Sequence, residues 1–174
     1  MKSILLSVRP KWCWLIASGK KTVEVRKTKP KFETPFKVYI YCTKDEPLYN
    51  SGEKFWCGDE LGNGKVIGEF VCRGLTYIEA GYDTNGDKHL YNTAFIQHRM
   101  CIPEHELHAY LYKNRENCGG WAWHISDVVI YHGLPRKIND FVSASVKNTN
   151  CFGQNLKRIT RAPQSWCYVE EATL

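Results

Sequence analysis

Apolar and polar residues alternate over short stretches of this chain, and each stretch predicts a short element. Ile4-Leu5-Leu6-Ser7-Val8 predicts a strand that Arg9-Pro10 ends. Pro10 suits the first turn of a helix and Gly19 its left-handed C-terminal cap. Between them Trp12, Leu15 and Ile16 recur at helical spacing, so a short amphipathic helix is expected over 10–18. β-Branched residues alternate from Thr22 to Lys27 and predict a second strand, followed by a proline-containing loop over 28–35. Phe36 to Thr43 is a third strand, because Val38, Tyr39, Ile40 and Tyr41 all favour extended structure.

Residues 45–64 are rich in Gly, Asp, Glu and Asn and predict a long exposed connection. Strand pattern returns from Lys65 to Tyr77, and Glu79 to Lys88 reads as a polar loop. Pro103 to Tyr112 predicts a helix with Glu104 and Glu106 in its first turn, where the dipole favours them. A strand is expected from Gly119-Gly120 through Trp121, Trp123 and Ile125 to Tyr131. Pro135 to Phe141 reads as a short helix, 143–162 as a polar loop, and Gln164 to Glu170 as a last strand. About six strands with two or three helices, without βαβ alternation or internal repeat, predict an α+β barrel or pseudobarrel. No linker interrupts the pattern, so residues 1–174 are expected to form one domain.

No apolar run approaches the roughly 20 residues that cross a bilayer, and the N-terminal residues read as a strand and not as a signal peptide. The expected location is therefore cytoplasmic, with no membrane partner. The eight cysteines fit that setting, because Cys13, Cys42, Cys72 and Cys167 lie in apolar segments and no C-x-x-C pair occurs. Reduced core thiols are expected. Cys101, His105 and His108 form a C-x3-H-x2-H string, but no second cysteine pair completes a zinc site, so no metal or cofactor is expected. The net charge of +6 is unevenly spread: residues 1–44 hold 11 Lys/Arg against 2 Asp/Glu, whereas residues 45–127 hold 7 against 13. Any attraction for nucleic acid is then local to the basic ends.

The passage from Gly19 to Arg26 has the form G-x-K-x-x-E-x-R. In a strand, Thr22, Glu24 and Arg26 share one face and Val23 and Val25 the other, so Glu24 and Arg26 are near enough to pair. Lys21 sits where the helix cap hands over to the strand. Spacing alone leaves two readings open: a ligand-facing acid–base group on a rigid element, or a salt bridge that only closes the fold.

This arrangement resembles the ASCH family, a branch of the PUA-like superfamily, at Gly19, Lys21, Glu24 and Arg26. The leading Arg9-Pro10, the strand Val66-Ile67-Gly68-Glu69-Phe70 and the late strand Gly120-Trp121-Ala122-Trp123 are similar too. The ending Pro163-Gln164-Ser165-Trp166-Cys167-Tyr168-Val169 looks like that of stand-alone members from bacteria and their phages. The resemblance implies a PUA-like mixed β-barrel with a cleft beside the motif strand that contacts RNA or a modified nucleotide. Lys21 and Arg26 would then neutralise phosphate or polarise a base carbonyl, and Glu24 would accept a base amino group or orient Lys21. Arg9 and Thr22 fall at the margin of that site.

Aromatic side chains are the second ingredient, since single-stranded bases stack on aromatic faces. Trp12, Tyr39, Tyr41, Trp121, Trp123 and Trp166 are candidates, although strand aromatics more often pack a core. Tyr39 and Tyr41 lead, because they alternate with Val38 and Ile40 and share a face with Lys37. The resemblance also offers two catalytic alternatives: an amidohydrolase acting on acetylated cytidine nucleosides, or a metal-independent ribonuclease. In either, Lys21 and Glu24 would be the catalytic pair; the hydrolase would take Glu69 as its separate carboxylate, and the ribonuclease would add Arg26, with His98 or His124 assisting cleavage. The related hydrolase has threonine at the position of Glu24, and a carboxylate cannot serve as the same hydroxyl nucleophile. The expectation is thus a binder of RNA or a nucleotide through Arg9, Lys21, Thr22, Glu24, Arg26, Tyr39 and Tyr41. The sequence names no protein partner.

Overall fold

The computed structural model describes residues 3–44, 53–112, 118–144 and 157–171. They form ten strands and three α-helices, a sheet-rich α+β fold. Contacts gather the chain into two compact units, one from Met1–Ala17, Phe36–Val71 and Asp127–Leu174, the other from Ser18–Pro35 and Cys72–Ser126.

In the first unit β1 (Ser3–Val8) is buried along its whole length, as the continuous apolar run requires. It pairs in parallel with β3 (Phe36–Cys42), Leu5 opposite Tyr39 and Ser7 opposite Tyr41. On its other side it pairs antiparallel with β10 (Trp166–Glu171), which pairs in turn with β9 (Phe141–Ser143). The helix α1 (Pro10–Ala17) begins at the proline and buries Pro10, Cys13 and Ile16. Trp12 and Leu15 are only half-buried, so the inward stripe lies one step round from the expected one. Leu5, Tyr39, Tyr41, Val66, Phe141 and Val169 make a core cluster, each large side chain contributing about 1.5–3 kcal/mol.

The second unit is built around β2 (Val23–Arg26), antiparallel to β8 (Gly119–Ile130) with Glu24 opposite Trp123 and Arg26 opposite Trp121. The αL turn before β2 is made by Gly19, at φ 73°, as the cap position demands. Gly120 is required for close approach, because a Cβ there would stand 2.8 Å from the carbonyl oxygen of Arg26 and 2.6 Å from Leu111. Val23, Val25, Ile78, Ala80 and Ala122 alternate inward, and Met100, Leu107 and Leu111 cover them from α2 (Gln97–Met100) and α3 (Glu104–Leu111).

Several boundaries differ from expectation. The strand from 65 continues as β6 (Val66–Tyr82), because Ile78 and Ala80 keep pointing inward, and it pairs with an unexpected β7 (Lys88–Tyr91). The loop between them shrinks to 83–87, where Asp83 Oδ1 accepts from the amides of Asn85 and Asp87 at 2.9 Å. The connection over 45–64 contains the hairpin β4 (Trp56–Cys57) and β5 (Glu60–Leu61), turned at Gly58 with φ 66°. Its residues 45–52 lie outside the described residues, as do 145–156 of the expected loop at 143–162. The helix expected over 135–141 is a single 3-10 turn at Ile138–Asp140, followed directly by β9. No helix among the described residues is long and apolar enough to cross a membrane.

Candidate functional site

Strand β2 carries three charged groups in one chain of contacts. Lys21 Nζ donates to the Met100 carbonyl at 2.5 Å and lies 3.3 Å from Glu24 Oε2. The other oxygen of Glu24 takes Arg26 Nη2 at 2.9 Å. Exposure rises along the chain: the side chain of Lys21 is 0% exposed, that of Glu24 7% and that of Arg26 14%. A lysine removed from water needs such partners, since an uncompensated buried ammonium costs several kcal/mol by order of magnitude. The pair therefore fixes the start of β2 to the end of α2 and presents Arg26 as the member nearest solvent.

Arg26 stands across the ladder from Trp121. Lys29 Nζ lies 4.1 Å from the centroid of the Trp121 ring, and the Tyr77 ring tilts against it at 5.2 Å. Tyr77 is 44% exposed. A second cation–aromatic contact, Lys27 over Tyr110 at 4.9 Å, follows in the same unit. Lys29, Tyr77 and Tyr110 were not anticipated from sequence. They come from a loop, a strand and a helix, and no spacing rule links them.

At the other end of β2, Thr22 Oγ1 accepts from Arg99 Nε at 2.9 Å, and the Thr22 amide donates to the Arg99 carbonyl at 3.1 Å. Thr76 Oγ1 and His124 Nε2 lie 2.8 Å apart on β6 and β8. Burial, and then the nearby Arg99 guanidinium, hold the His124 imidazole below its ordinary range. Sequence separations of 77 and 48 residues explain why neither contact was legible.

Arg9, Tyr39, Tyr41 and Glu69 belong to the first unit. Arg9 is exposed, and its carbonyl accepts from the amides of Trp12 and Cys13 at 3.0 Å to start α1. Tyr39 and Tyr41 do not share an open face: both rings are buried in the core cluster, with Tyr39 against Phe141 at 4.8 Å. Six of the seven residues of β3 are buried, so side chains on both of its faces are covered, which alternation alone does not foretell. Glu69 accepts from Lys37 Nζ at 2.8 Å and from the Tyr131 hydroxyl at 2.5 Å. Burial first, then the hydrogen bond to Glu69, push the Tyr131 phenol far upward, so it stays a neutral donor.

Among the described residues no group of three metal-ligating side chains converges. His108 of the C-x3-H-x2-H string is buried, with Nε2 2.8 Å from the Gly81 carbonyl. The described cysteines are free thiols, and burial pushes Cys57, Cys72 and Cys167 up to about 11, as inert core thiols require.

The fold has known counterparts. The crystal structure of ASCH from Zymomonas mobilis matches with a TM-score of 0.55 at 18% identity, covering 97% of this chain and 87% of that one. Two single-substitution mutants of that protein also match, each with a TM-score of 0.55 at 19% identity; the coverage is 98% of this chain and 91% of that one for the first, 97% and 88% for the second. No curated protein matches the sequence. The model of the ASCH domain matches residues 6–131, which include the whole G-x-K-x-x-E-x-R motif, and the chain therefore belongs to the ASCH domain family.

Proposed function

We propose that the protein binds single-stranded RNA or a modified nucleotide beside strand β2. The observation that carries this reading is the juxtaposition of Arg26 with Trp121, whose ring also takes the Lys29 ammonium and the Tyr77 ring. A base stacks on an aromatic face while flanking cations neutralise its phosphate, and this is the grouping that single-strand binding needs. Lys21 and Glu24 act from behind: their buried pair holds the Arg26 guanidinium in place, with Thr22 at the margin. Tyr39 and Tyr41 have no part in this reading, because buried rings offer a base no face, and Arg9 is retained only as an exposed cation of the first unit.

Binding is favoured over catalysis by Lys21 and Glu24. Lys21 Nζ already donates to a carbonyl and faces a carboxylate, whereas a general base needs an open lone pair aimed at substrate. Cleavage of acetylated cytidine or of RNA by this pair is the second reading, and incubation with each substrate is expected to give no product. Titration of labelled single-stranded RNA, followed by anisotropy at low and moderate salt, tests the site. Stacking contributes about 1–3 kcal/mol per base, so Trp121→Ala should weaken binding by about tenfold or more. Arg26→Ala should weaken it and flatten its salt dependence. Unchanged affinity in both variants, with folding intact, would remove the site from β2.

A further inference from the structure

Gly119 and Trp121 lie two residues apart on β8, so they share a sheet face with Arg26, the register partner of Trp121. Gly119 has no side chain to place on that face, and the Tyr77 ring from β6 fills the space instead. A Cβ at Gly119 would stand 2.2 Å from the Tyr77 hydroxyl oxygen, 2.6 Å from its Cζ and 2.8 Å from the Ile78 carbonyl oxygen. The φ of Gly119 is not positive, so this close approach, and not a backbone turn, is what excludes a side chain. From its seat over Gly119 the Tyr77 ring tilts against Trp121, with centroids 5.2 Å apart and 60° between the planes. Trp121 is half-buried and carries the Lys29 ammonium over its ring, whereas Tyr77 is 44% exposed.

We infer that Tyr77 is the ring on which an RNA base stacks, and that Gly119 is the residue that positions it. This rests on the single-strand reading above and says which ring meets the base. Trp121 serves as the wall that Tyr77 leans on, since the Lys29 ammonium already sits over its own ring. An exposed tyrosine that swings freely loses that freedom when a base stacks on it. One lodged over Gly119 and against Trp121 has lost it beforehand, and such preorganisation raises affinity. Arg26 and Lys29 both adjoin Trp121, which leaves them beside the stacked base to neutralise its phosphates. Gly119 itself touches no base; it acts only through Tyr77.

The test is a double-mutant cycle on the intact protein, read by anisotropy with labelled single-stranded RNA at one salt concentration. Tyr77→Ala should weaken binding by about tenfold or more. Gly119→Ala should weaken it several-fold, yet change almost nothing further in the Tyr77→Ala background, where no ring is left to displace. In the RNA-free protein the Trp121 indole N–H resonance should shift in Gly119→Ala, because the ring current of Tyr77 moves with the ring. Should Gly119→Ala not fold, Tyr77→Phe keeps the ring and should bind several-fold more tightly than Tyr77→Ala. Three results would each overturn the inference: wild-type affinity in Tyr77→Ala, an equal loss from Gly119→Ala with and without the Tyr77 ring, or equal affinities of Tyr77→Phe and Tyr77→Ala. Weakened binding in Trp121→Ala alongside any of these would keep the site beside β2 and move the base to another ring. A wild-type protein that binds no RNA would overturn both readings.

Discussion

Each unit of the molecule contains a Lys–Glu pair extended by a third group, and the two are built for opposite surroundings. In the motif unit Lys21 is 0% exposed, and Glu24 shares its oxygens between that lysine and Arg26. In the other unit Lys37 is 42% exposed, and Glu69 shares its oxygens between Lys37 and the Tyr131 hydroxyl. The two pairs are of the same residue types, and the buried contact is the longer one, 3.3 Å against 2.8 Å; access of water is the larger difference. A buried charge depends on its partner, because removing one leaves the other desolvated and uncompensated. An exposed lysine that loses its partner is simply rehydrated. The motif is therefore an anchor as well as a candidate site, and changes to it mix folding with binding.

The comparison is broken most easily at the buried end. Lys21→Met should cost about 3 kcal/mol or more of stability, since Glu24 is then left buried with Arg26 alone. The equivalent Lys37→Met should cost less than about 1 kcal/mol. Urea denaturation of both variants measures the difference, and equal losses would mean that the two pairs are not distinguished by burial. A smaller effect sharpens the exposed side of the comparison. Tyr131→Phe removes the neutral hydroxyl that Glu69 accepts from, which should cost about 1.5 kcal/mol, the range for a hydrogen bond to a charged group. If it costs less than Lys37→Met, the ammonium and not the phenol is what holds Glu69.

The sequence made the local parts of this picture readable. Pro10 and Gly19 bracket α1 because each has a backbone preference that acts within one turn. The continuous apolar β1 and the alternating Val23 and Val25 reported their burial directly. Lys21, Glu24 and Arg26 were found because they lie within one short segment. Met100, the other acceptor of Lys21, lies 79 residues away and leaves no trace in the motif. The same holds for Thr76 with His124 and for Lys29 with Trp121: tertiary packing, not periodicity, creates them. Tyr39 and Tyr41 failed for a related reason. Alternation tells which side chains share a face, but not that both faces of β3 are covered. Two-residue strands such as β4 and β5 fall below the length at which any pattern can be read.

A like-charged neighbour extends the comparison, with the smallest expected effect. His124 is half-buried, and its imidazole is held below the usual 6.5, by burial first and by Arg99 second. Between the lowered native value and the unfolded value, the unfolded chain binds a proton that the native chain refuses. Stability contributed by this group should therefore fall as pH drops through about 6.5, and level off once pH lies below the native value. Arg99→Gln removes the second cause and leaves the first, so the titration of His124 should move upward without reaching 6.5. NMR titration of the imidazole in both proteins measures this directly. A wild-type His124 that titrates at or above 6.5 would mean that water reaches this part of the motif unit as freely as it reaches Lys37, and the contrast between the two units would then rest on Lys21 and Glu24 alone.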